Sequence, residues 1–182
     1  MAVLDIVLYP DDPLTKKATP YDVVGPEVAQ LAADMYETMT AYEGVGLAGP
    51  QVGVSKRILV AHPPDGEPVC LVNPEITDMQ GREEGEEGCL SLPNVYAKVP
   101  RATRIHVRAL DERGAPLDFE AEGFFARIIQ HECDHLDGIV FPDRLDILSR
   151  EEVLHEFADV RRQMREEAQS RLDVTCSSAR LP

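Results

Sequence analysis

Apolar residues recur at helical spacing between residues 26 and 43. The positions that share one face are Val28, Leu31, Ala32, Met35, Met39 and Tyr42. Pro26 suits the first position of a helix, Gly25 can serve as the N-cap, and Gly44 lies where a helix commonly ends in glycine. The pattern therefore predicts an N-terminal helix over 26–43 whose apolar face belongs to the core.

Strict alternation of apolar and polar residues marks the segment RIHVRAL at 104–110. Ile105 and Val107 fall on one face, while His106 falls on the other face with arginines. The turn DERG follows, and the alternation resumes at 117–121. This pattern predicts an antiparallel hairpin with one buried face and one solvated face.

The remaining periodic segments complete a mixed pattern. Short β-type runs at 57–61 and 69–72 flank the turn sequence HPPDGEP. Helical character returns at about 123–136, and Gly138 supplies a stop. We therefore predict a compact single α+β domain, with antiparallel β-sheets around a central helix at 123–136 and one helix near each terminus.

A final amphipathic helix is predicted to start at Ser149, which can form a capping box with Glu152. Its apolar stripe consists of Val153, Phe157, Val160, Met164 and Leu172. The last segment, 173–182, has no periodicity. The sequence thus predicts one domain over 1–172 and a flexible C-terminal tail over 173–182.

The composition narrows the classes of function. The chain has 182 residues, enough for one domain with a sizeable core, and its 18 basic and 33 acidic residues give a net charge of −15. A chain this acidic is expected to repel nucleic acid and anionic membranes. The N-terminus MAVLDIVLYPDD lacks a basic leader, and no segment approaches the ~20 apolar residues that cross a bilayer, so we expect a cytoplasmic protein.

Four cysteines are present at irregular spacing: Cys70, Cys89, Cys133 and Cys176. In a reducing cytosol they are not expected to form a disulfide framework. Each is expected to be a small buried apolar residue unless its neighbours indicate another role.

Residues 131–135, HECDH, carry the strongest chemical signal. His131 and His135 stand one helical turn apart, so both can direct a ring nitrogen at one ion, at ~2.0–2.1 Å for zinc. Glu132 is turned about 100° from His131, where a base for a water bound to the ion would lie. The alternative is two surface histidines on a polar helix face. The apolar residues that precede the motif favour a buried helix, and hence a metal site.

A third protein ligand is required if one position of the metal stays open for water. The stretch EEGCLSLP at 86–93 places Cys89 beside a glycine after an acidic run. Cys89 is therefore a candidate ligand, and acidic residues are the other candidates. The alternatives are a packed thiol for Cys89 and a solvated loop for the run Glu83, Glu84, Glu86 and Glu87.

The glycine-rich stretch GVGLAGPQVG at 44–53 carries no charged residue. Flexible loops are usually polar, so these glycines indicate a close approach of the backbone to a ligand. The GK[ST] ending of a phosphate loop is absent. Gln51 is the only polar side chain of the stretch, and its amide N–H can donate to a developing oxyanion.

Together these three stretches resemble the bacterial-type peptide deformylases. The family's motifs correspond here to GVGLAGPQ at 44–51, EGCLS at 87–91 and HECDH at 131–135, in the family's order. The opening VLYPDDPLTKKATP also resembles the family's N-terminus, and the resemblance covers residues from about 3 to 165. One departure is Gly49, where the family usually has alanine.

The resemblance implies a role for each motif. The metal ligands that it implies are Cys89, His131 and His135. Glu132 would be the general acid and base, while Gln51 and the backbone N–H of Leu90 would hold the oxyanion. The cofactor would be one divalent metal ion, usually Fe²⁺ in the family, with Zn²⁺, Ni²⁺ or Co²⁺ substituting. The implied reaction is hydrolytic removal of the N-formyl group from the N-terminal formylmethionine of new polypeptides, with release of formate.

An apolar pocket beside the motifs is expected to bind the substrate. The residues predicted to bind it are Gly44, Val45, Gly46, Glu87, Gly88 and Ile128. Val45, Leu90 and Ile128 would form walls for the methionine side chain, although plain core packing explains Ile128 equally well. The glycine stretch would pair with the peptide backbone by strand addition.

The implied partners are N-formylmethionyl peptides and nascent chains, without nucleic-acid specificity or membrane attachment. Arg161, Arg162 and Arg165 on the final helix would give at most a weak, transient ribosome contact. A plain solvated helix face is the alternative for these arginines.

Two other functions remain open at this point. A HExxH zinc endopeptidase would take its third ligand from further along the chain, where Glu151, Glu152 and His155 lie on the predicted final helix. A catalytically inactive metal-binding protein is the other alternative, and it would have no need of Glu132 and Gln51.

Overall fold

The computed structural model describes residues 2–64 and 66–178, and of residues 171–178 it describes the backbone only. Its α-helices, among the described residues, are α1 (Pro26–Ala41), α2 (Gly123–Leu136) and α3 (Ile147–Ser178). Its strands are β1 (Gly46–Ala48), β2 (Ile58–Ala61), β3 (Val69–Gln80), β4 (Glu83–Cys89), β5 (Leu92–Arg101), β6 (Arg104–Leu110) and β7 (Pro116–Glu122).

Two antiparallel sheets organise the domain. One is five-stranded, in the order β1-β2-β3-β6-β7, and the other consists of β4 paired with β5. In the hairpin of β6 and β7, Ile105 and Val107 are buried, as the alternation predicted. The predicted α+β class, with antiparallel sheets and a central helix, is confirmed.

The first helix, α1, starts at Pro26 as predicted and ends at Ala41, slightly earlier than predicted. The N–H of Gly44 bonds the carbonyl of Met39 at 2.8 Å and closes the last turn. Glu43, rather than Gly44, takes the left-handed conformation, with a φ of 56°. The chain then enters the edge strand β1.

The second helix, α2, has the predicted bounds and lies at the centre of the fold. Every residue from Ala126 to Leu136 is buried. Beyond its end, Gly138 has a φ of 73°, and a Cβ there would lie 2.9 Å from the backbone of Lys16. The N–H of Ala18 also bonds the carbonyl of Leu136 at 2.8 Å. The N-terminal segment of the chain therefore fixes one end of α2.

The region between β3 and β6 departs from the prediction. β3 continues to Gln80, well beyond the predicted run at 69–72. The acidic run, for which a solvated loop was the alternative, is strand β4, and the next segment forms β5, which was not predicted. Glutamate, glycine and proline are depleted in strands, so this hairpin carries little propensity signal. Its stability comes from pairing and from burial of Leu92, Val95 and Val99.

The third helix, α3, begins at Ile147, and the predicted start at Ser149 is wrong. Asp146 caps the helix, because its Oδ1 accepts the N–H groups of Leu148 at 3.0 Å and Ser149 at 3.1 Å. The carboxylate therefore satisfies two backbone donors that the first turn leaves free.

The far end of α3 extends beyond the predicted periodicity. Its helical backbone continues to Ser178, into the segment 173–182 that was predicted to be a flexible tail. Residues 179–182 lie outside the described residues, so flexibility there stays a prediction. Near the start of α3, Val153 and Phe157 are buried in a cluster with residues of β5. Among the described residues, no helix is long and apolar enough to cross a bilayer.

Candidate metal centre

The three predicted metal ligands meet beside α2. The Sγ of Cys89 and one ring nitrogen each of His131 and His135 all lie within 4.8 Å of one another. The Sγ of Cys89 is 3.2 Å from Nε2 of His135. One thiolate and two imidazoles at this spacing suit a divalent transition-metal ion, and three protein ligands leave a fourth position open.

An irregularity in β4 directs Cys89 towards α2. The pairing of β4 with β5 is continuous as far as Glu87 and shifts register before Cys89. Gly88 lies at the shift, and a Cβ at this position would be 2.6 Å from the ring of Tyr96. Bulges of this kind bend a strand and re-aim a side chain beside a site. A larger residue here would have to displace the exposed ring of Tyr96, and the shift in register brings the thiol to the histidines.

Glu87 fixes the orientation of His131. Its Oε2 lies 2.9 Å from Nδ1 of His131, which leaves Nε2 of that ring for a metal. Burial alone would raise the pKa of Glu87, but hydrogen bonds from His131 and Arg101 lower it to about 2. Glu87 was predicted to bind substrate. Its two carboxylate oxygens are occupied by His131, Arg101 and Arg127, so the carboxylate orients His131, and contact of Glu87 with substrate stays a prediction.

Arg101 and Asp134 extend this buried network. Arg101 donates to both oxygens of Glu87, at 2.9 and 3.0 Å, and to Asp134 at 2.6 Å. Arg144 also donates to Asp134, from Nε at 3.0 Å. The network joins β5 to α2 and compensates every buried charge in it. Sequence reasoning missed Arg101; the available signal was Asp134, an acid on a buried helix that requires a cation.

Glu132 lies beside the ligands in a different environment. It is 4% exposed, and its Oε2 has no hydrogen-bond partner among the described residues. Burial raises the pKa of Glu132 to about 7. The close approach of β1 requires Gly46, since a Cβ there would lie 2.4 Å from Oε1 of Glu132. A carboxyl group with a near-neutral pKa and a free oxygen can both accept and donate a proton.

Gln51 directs its amide group at the same point. Its Oε1 accepts the N–H of Ala48 at 2.8 Å, which orients the amide, and its Nε2 is 3.4 Å from Sγ of Cys89. The amide N–H is thus placed beside the candidate ligands, as the predicted oxyanion donor would be, and this role stays a prediction. Leu90 follows Cys89 at the end of β4 and lines the same cavity, while the role of its backbone N–H stays a prediction.

A cavity of about 600 Å³ opens onto these groups. Its lining includes all the residues predicted to bind substrate: Gly44, Val45, Gly46, Glu87, Gly88 and Ile128. Cys89, His131 and Glu132 line it too. Ile128 is only 4% exposed and belongs to the core, as its alternative interpretation expected, while its contact with substrate stays a prediction. The exposed aromatic residues of the lining, which were not predicted, are Tyr42, Tyr96 and Phe124.

A larger groove of about 1210 Å³ lies on the other side of α2, beside Cys133 and Asp134. None of the three candidate metal ligands lines it. The smaller cavity, which is lined by Cys89, His131 and Glu132, is therefore the candidate active site.

A buried helix with two histidines and a free glutamate, completed by a cysteine from a neighbouring strand, defines a metal-dependent hydrolase site. The sequence pattern of the polypeptide deformylase family matches residues 3–151. The chain belongs to this family, and the resemblance found in its motifs is confirmed.

Individual relatives are similar over most of their length. A peptide deformylase of Alkalilimnicola ehrlichii is 46% identical over 168 residues, which cover 91% of this chain and 94% of that protein. The crystal structure of peptide deformylase from Thermus thermophilus matches with a TM-score of 0.84 and 45% identity, over 91% of this chain and 99% of that one. The crystal structure of a peptide deformylase from Legionella pneumophila matches with a TM-score of 0.85 and 39% identity, over 90% of this chain and 98% of that one.

Proposed function

We propose that the protein hydrolyses the formyl amide at the N-terminus of N-formylmethionyl peptides and releases formate. The observation that carries the proposal is Glu132, a buried carboxyl group with an unpartnered oxygen, beside the cluster of Cys89, His131 and His135 in an open cavity. Burying a polar group without a partner is costly. A protein that only stored a metal ion would have no use for it.

We propose one divalent ion, Fe²⁺, at the three ligands, with Zn²⁺, Ni²⁺ or Co²⁺ able to replace it. A thiolate with two imidazoles suits several of these ions. When bound, the ion acts as a Lewis acid and lowers the pKa of water towards ~7. The thiolate is also open to oxidation, so anaerobic handling is required.

Glu132 moves the protons of the reaction. It accepts a proton from the attacking water while the new C–O bond forms at the formyl carbon. When the C–N bond breaks, Glu132 gives that proton to the leaving amine, and the products are formate and a free amino group. A pKa of about 7, raised by burial, suits both steps near neutral pH.

Gln51 stabilises the negative charge that develops on the formyl oxygen. Its amide is held by the N–H of Ala48 and is already oriented before substrate binds. The backbone N–H of Leu90 is the proposed second donor. One such donor contributes roughly 3–4 kcal/mol in comparable sites.

The free edge of β1 supports the predicted binding of the peptide backbone. β1 pairs only with β2 among the described strands, and its residue Gly46 lines the cavity. A peptide in the cavity can therefore add to the sheet as a further strand. Val45 is 38% exposed beside this edge and, with Leu90 and Ile128, offers an apolar wall to the methionine side chain.

Formate release from formyl-Met-Ala-Ser, with the protein loaded anaerobically with Fe²⁺, tests the proposed reaction. We expect formate and the free tripeptide in equal amounts, and no cleavage of an unformylated peptide. No formate from metal-loaded protein would contradict the proposal. Cleavage at internal bonds of the unformylated peptide would support the endopeptidase alternative.

A variant of the proposed thiolate ligand tests the metal site separately. Cys89→Ala should lose the metal at ordinary concentrations, because two imidazoles alone bind a divalent ion weakly. Metal binding equal to that of the parent would show that Cys89 is not a ligand.

The endopeptidase alternative gains no support from its candidate ligands. His155 is exposed on α3, where it lies 4.0 Å from a carboxylate oxygen of Asp159. The ligand cluster draws its third member from β4 instead.

We propose nascent chains as the physiological substrate and the cytoplasm, where they are made, as the location.

Weak ribosome contact through α3 is a further proposal, although Arg161 pairs with Asp11 at 2.8 Å and Arg162 with Asp159 at 2.9 Å. Cosedimentation with ribosomes at low salt, with Arg161, Arg162 and Arg165 neutralised, tests this contact. Unchanged cosedimentation would remove these arginines from it.

A further inference from the structure

Arg127 is a buried cation that the proposed reaction does not use. It lies on α2, one turn before His131, and is 9% exposed. Its guanidinium group donates to a carboxylate and to three backbone carbonyls. The acceptors are Oε1 of Glu87 at 2.8 Å and the carbonyls of Val99 at 2.8 Å, Glu83 at 2.9 Å and Gly85 at 3.4 Å.

These acceptors belong to both strands of the hairpin that carries Cys89. Glu83, Gly85 and Glu87 lie in β4, and Val99 lies in β5. Gly85 makes room for the guanidinium group, since a Cβ there would lie 2.8 Å from its central carbon. One side chain of α2 is therefore bound both to the carboxylate that orients His131 and to the strand that ends in Cys89.

We propose that Arg127 is a positioning residue for the metal centre, which sets the separation between α2 and β4 so that His131 and Cys89 meet at one ion. The pair of Arg101 with Glu87 lies within the hairpin, because these residues belong to β5 and β4. Arg101 also joins β5 to α2 through Asp134. Arg127 differs because it binds the backbone of β4 itself, the strand that ends in Cys89, and the inference rests on the proposed metal centre.

The geometry requires arginine in particular. A guanidinium group presents five N–H donors in a rigid plane, whereas an ammonium group is a point charge with three donors. Lysine could keep the charge beside Glu87 but could not reach all four acceptors. Arg127→Lys should therefore restore the positioning only in part.

Release of Co²⁺ to an excess of chelator tests this inference without any catalytic assay. The visible spectrum of the Co²⁺ form reports the arrangement of its ligands. We expect Arg127→Met to release Co²⁺ about 10–100-fold faster than the parent and to change the spectrum, because groups that orient metal ligands alter affinity by this factor. Gly85→Ala, which displaces the guanidinium group without removing it, should act in the same direction and serves if Arg127→Met does not fold.

Val28→Ala is the matched control for lost stability. Val28 is a buried residue of α1 in a separate core cluster, so its truncation lowers Tm without touching the network. The inference would be overturned if Arg127→Met and Gly85→Ala released Co²⁺ at the parent's rate and kept the parent's spectrum. It would also be overturned if Val28→Ala released Co²⁺ as fast as Arg127→Met does. If the parent itself binds no Co²⁺, the proposed metal centre fails, and this inference fails with it.

Discussion

Two faces of α2 carry buried acids in opposite environments. Asp134, 6% exposed, accepts hydrogen bonds from Arg101 and Arg144. Glu132, 4% exposed on the opposite face, has an oxygen without a partner among the described residues, and burial raises its pKa to about 7. Because the two carboxyl groups are almost equally buried, the difference between them comes from their neighbours. Asp134 is held by two arginines, whereas Glu132 keeps a free oxygen, which fits the proton transfer proposed for it.

Removal of Glu132, the acid with the unpaired oxygen, should have the largest effect, and that effect should be on the rate of formate release. Glu132→Ala should keep its metal, because Glu132 is not a ligand, and should lose roughly 10²–10⁴-fold in the rate of formate release. The measurement is single-turnover formate release together with metal content. Glu86→Gln is the control, since Glu86 is an exposed carboxylate in the same cavity lining. Parent-like turnover in Glu132→Ala would refute the assigned role.

Removal of a cation from the paired network should affect stability first. Arg101→Met leaves Glu87 and Asp134 without the cation that they share, although Arg127 and Arg144 remain. We therefore expect the free energy of unfolding to fall by about 3 kcal/mol, the lower end for breaking a buried pair. Urea denaturation of the metal-free protein measures this loss.

The matched control for Arg101→Met is an exposed ion pair on the large sheet. Arg108 pairs with Asp118 at 3.2 Å, and both side chains are more than half exposed. Arg108→Met should cost less than about 1 kcal/mol. Equal losses in the two variants would show that burial of the network contributes nothing to stability.

Adding a methyl group at Gly46, beside Glu132, should lower the rate less than removal of Glu132 does. A Cβ at Gly46 would lie 2.4 Å from Oε1 of Glu132, so Gly46→Ala must displace that carboxylate. Displacement by about 1 Å can lower a rate by roughly 10²-fold, and we expect a loss up to that size with metal retained. Steady-state formate release and metal analysis check this. A normal rate would mean that Glu132 tolerates displacement.

Substitution of Asp146, an exposed acid whose hydrogen bonds are made, should have the smallest effect of the changes considered. Asp146 caps α3, and hydrogen bonds from Ser149 lower the pKa of its carboxyl group. Asp146→Ala should lower Tm by about 2–4 °C, while Asp146→Asn, which can still cap, should change it less. The lowered pKa means that the ionised cap contributes fully above the unfolded-state value of ~3.9 and loses this contribution as pH falls through the lower pKa of the folded state. Thermal melts at pH 7 and pH 3 test this: a difference in Tm between the parent and Asp146→Ala that does not narrow at pH 3 would contradict it.

The helical part of the site was predictable because its signal is local. His131, Glu132 and His135 belong to one helix, whose period fixes their relative directions from sequence alone. Its bounds at 123–136 were predicted correctly for the same reason. The buried hairpin of β6 and β7 was predicted from its strict alternation.

The hairpin of β4 and β5 was not predictable in this way. Its residues are glutamate, glycine and proline at many positions, and its pairing partner and register shift are tertiary features. The role of Glu87 depends on Arg101 and Arg127, which are distant in sequence and become its partners only in the fold. From sequence, a solvated loop was one open interpretation of the acidic run. The structure shows that one member of that run, Glu87, is a buried anion between two arginines.

X-ray absorption of protein loaded with one equivalent of Zn²⁺ tests the central claim, that Cys89, His131 and His135 hold one ion. The account predicts a single sulfur ligand at about 2.3 Å and two imidazole nitrogens at about 2.0–2.1 Å, with a remaining position filled by a light atom. The sulfur contribution should vanish in Cys89→Ala. A spectrum of the parent without sulfur, or an unchanged sulfur contribution in the variant, would contradict the account.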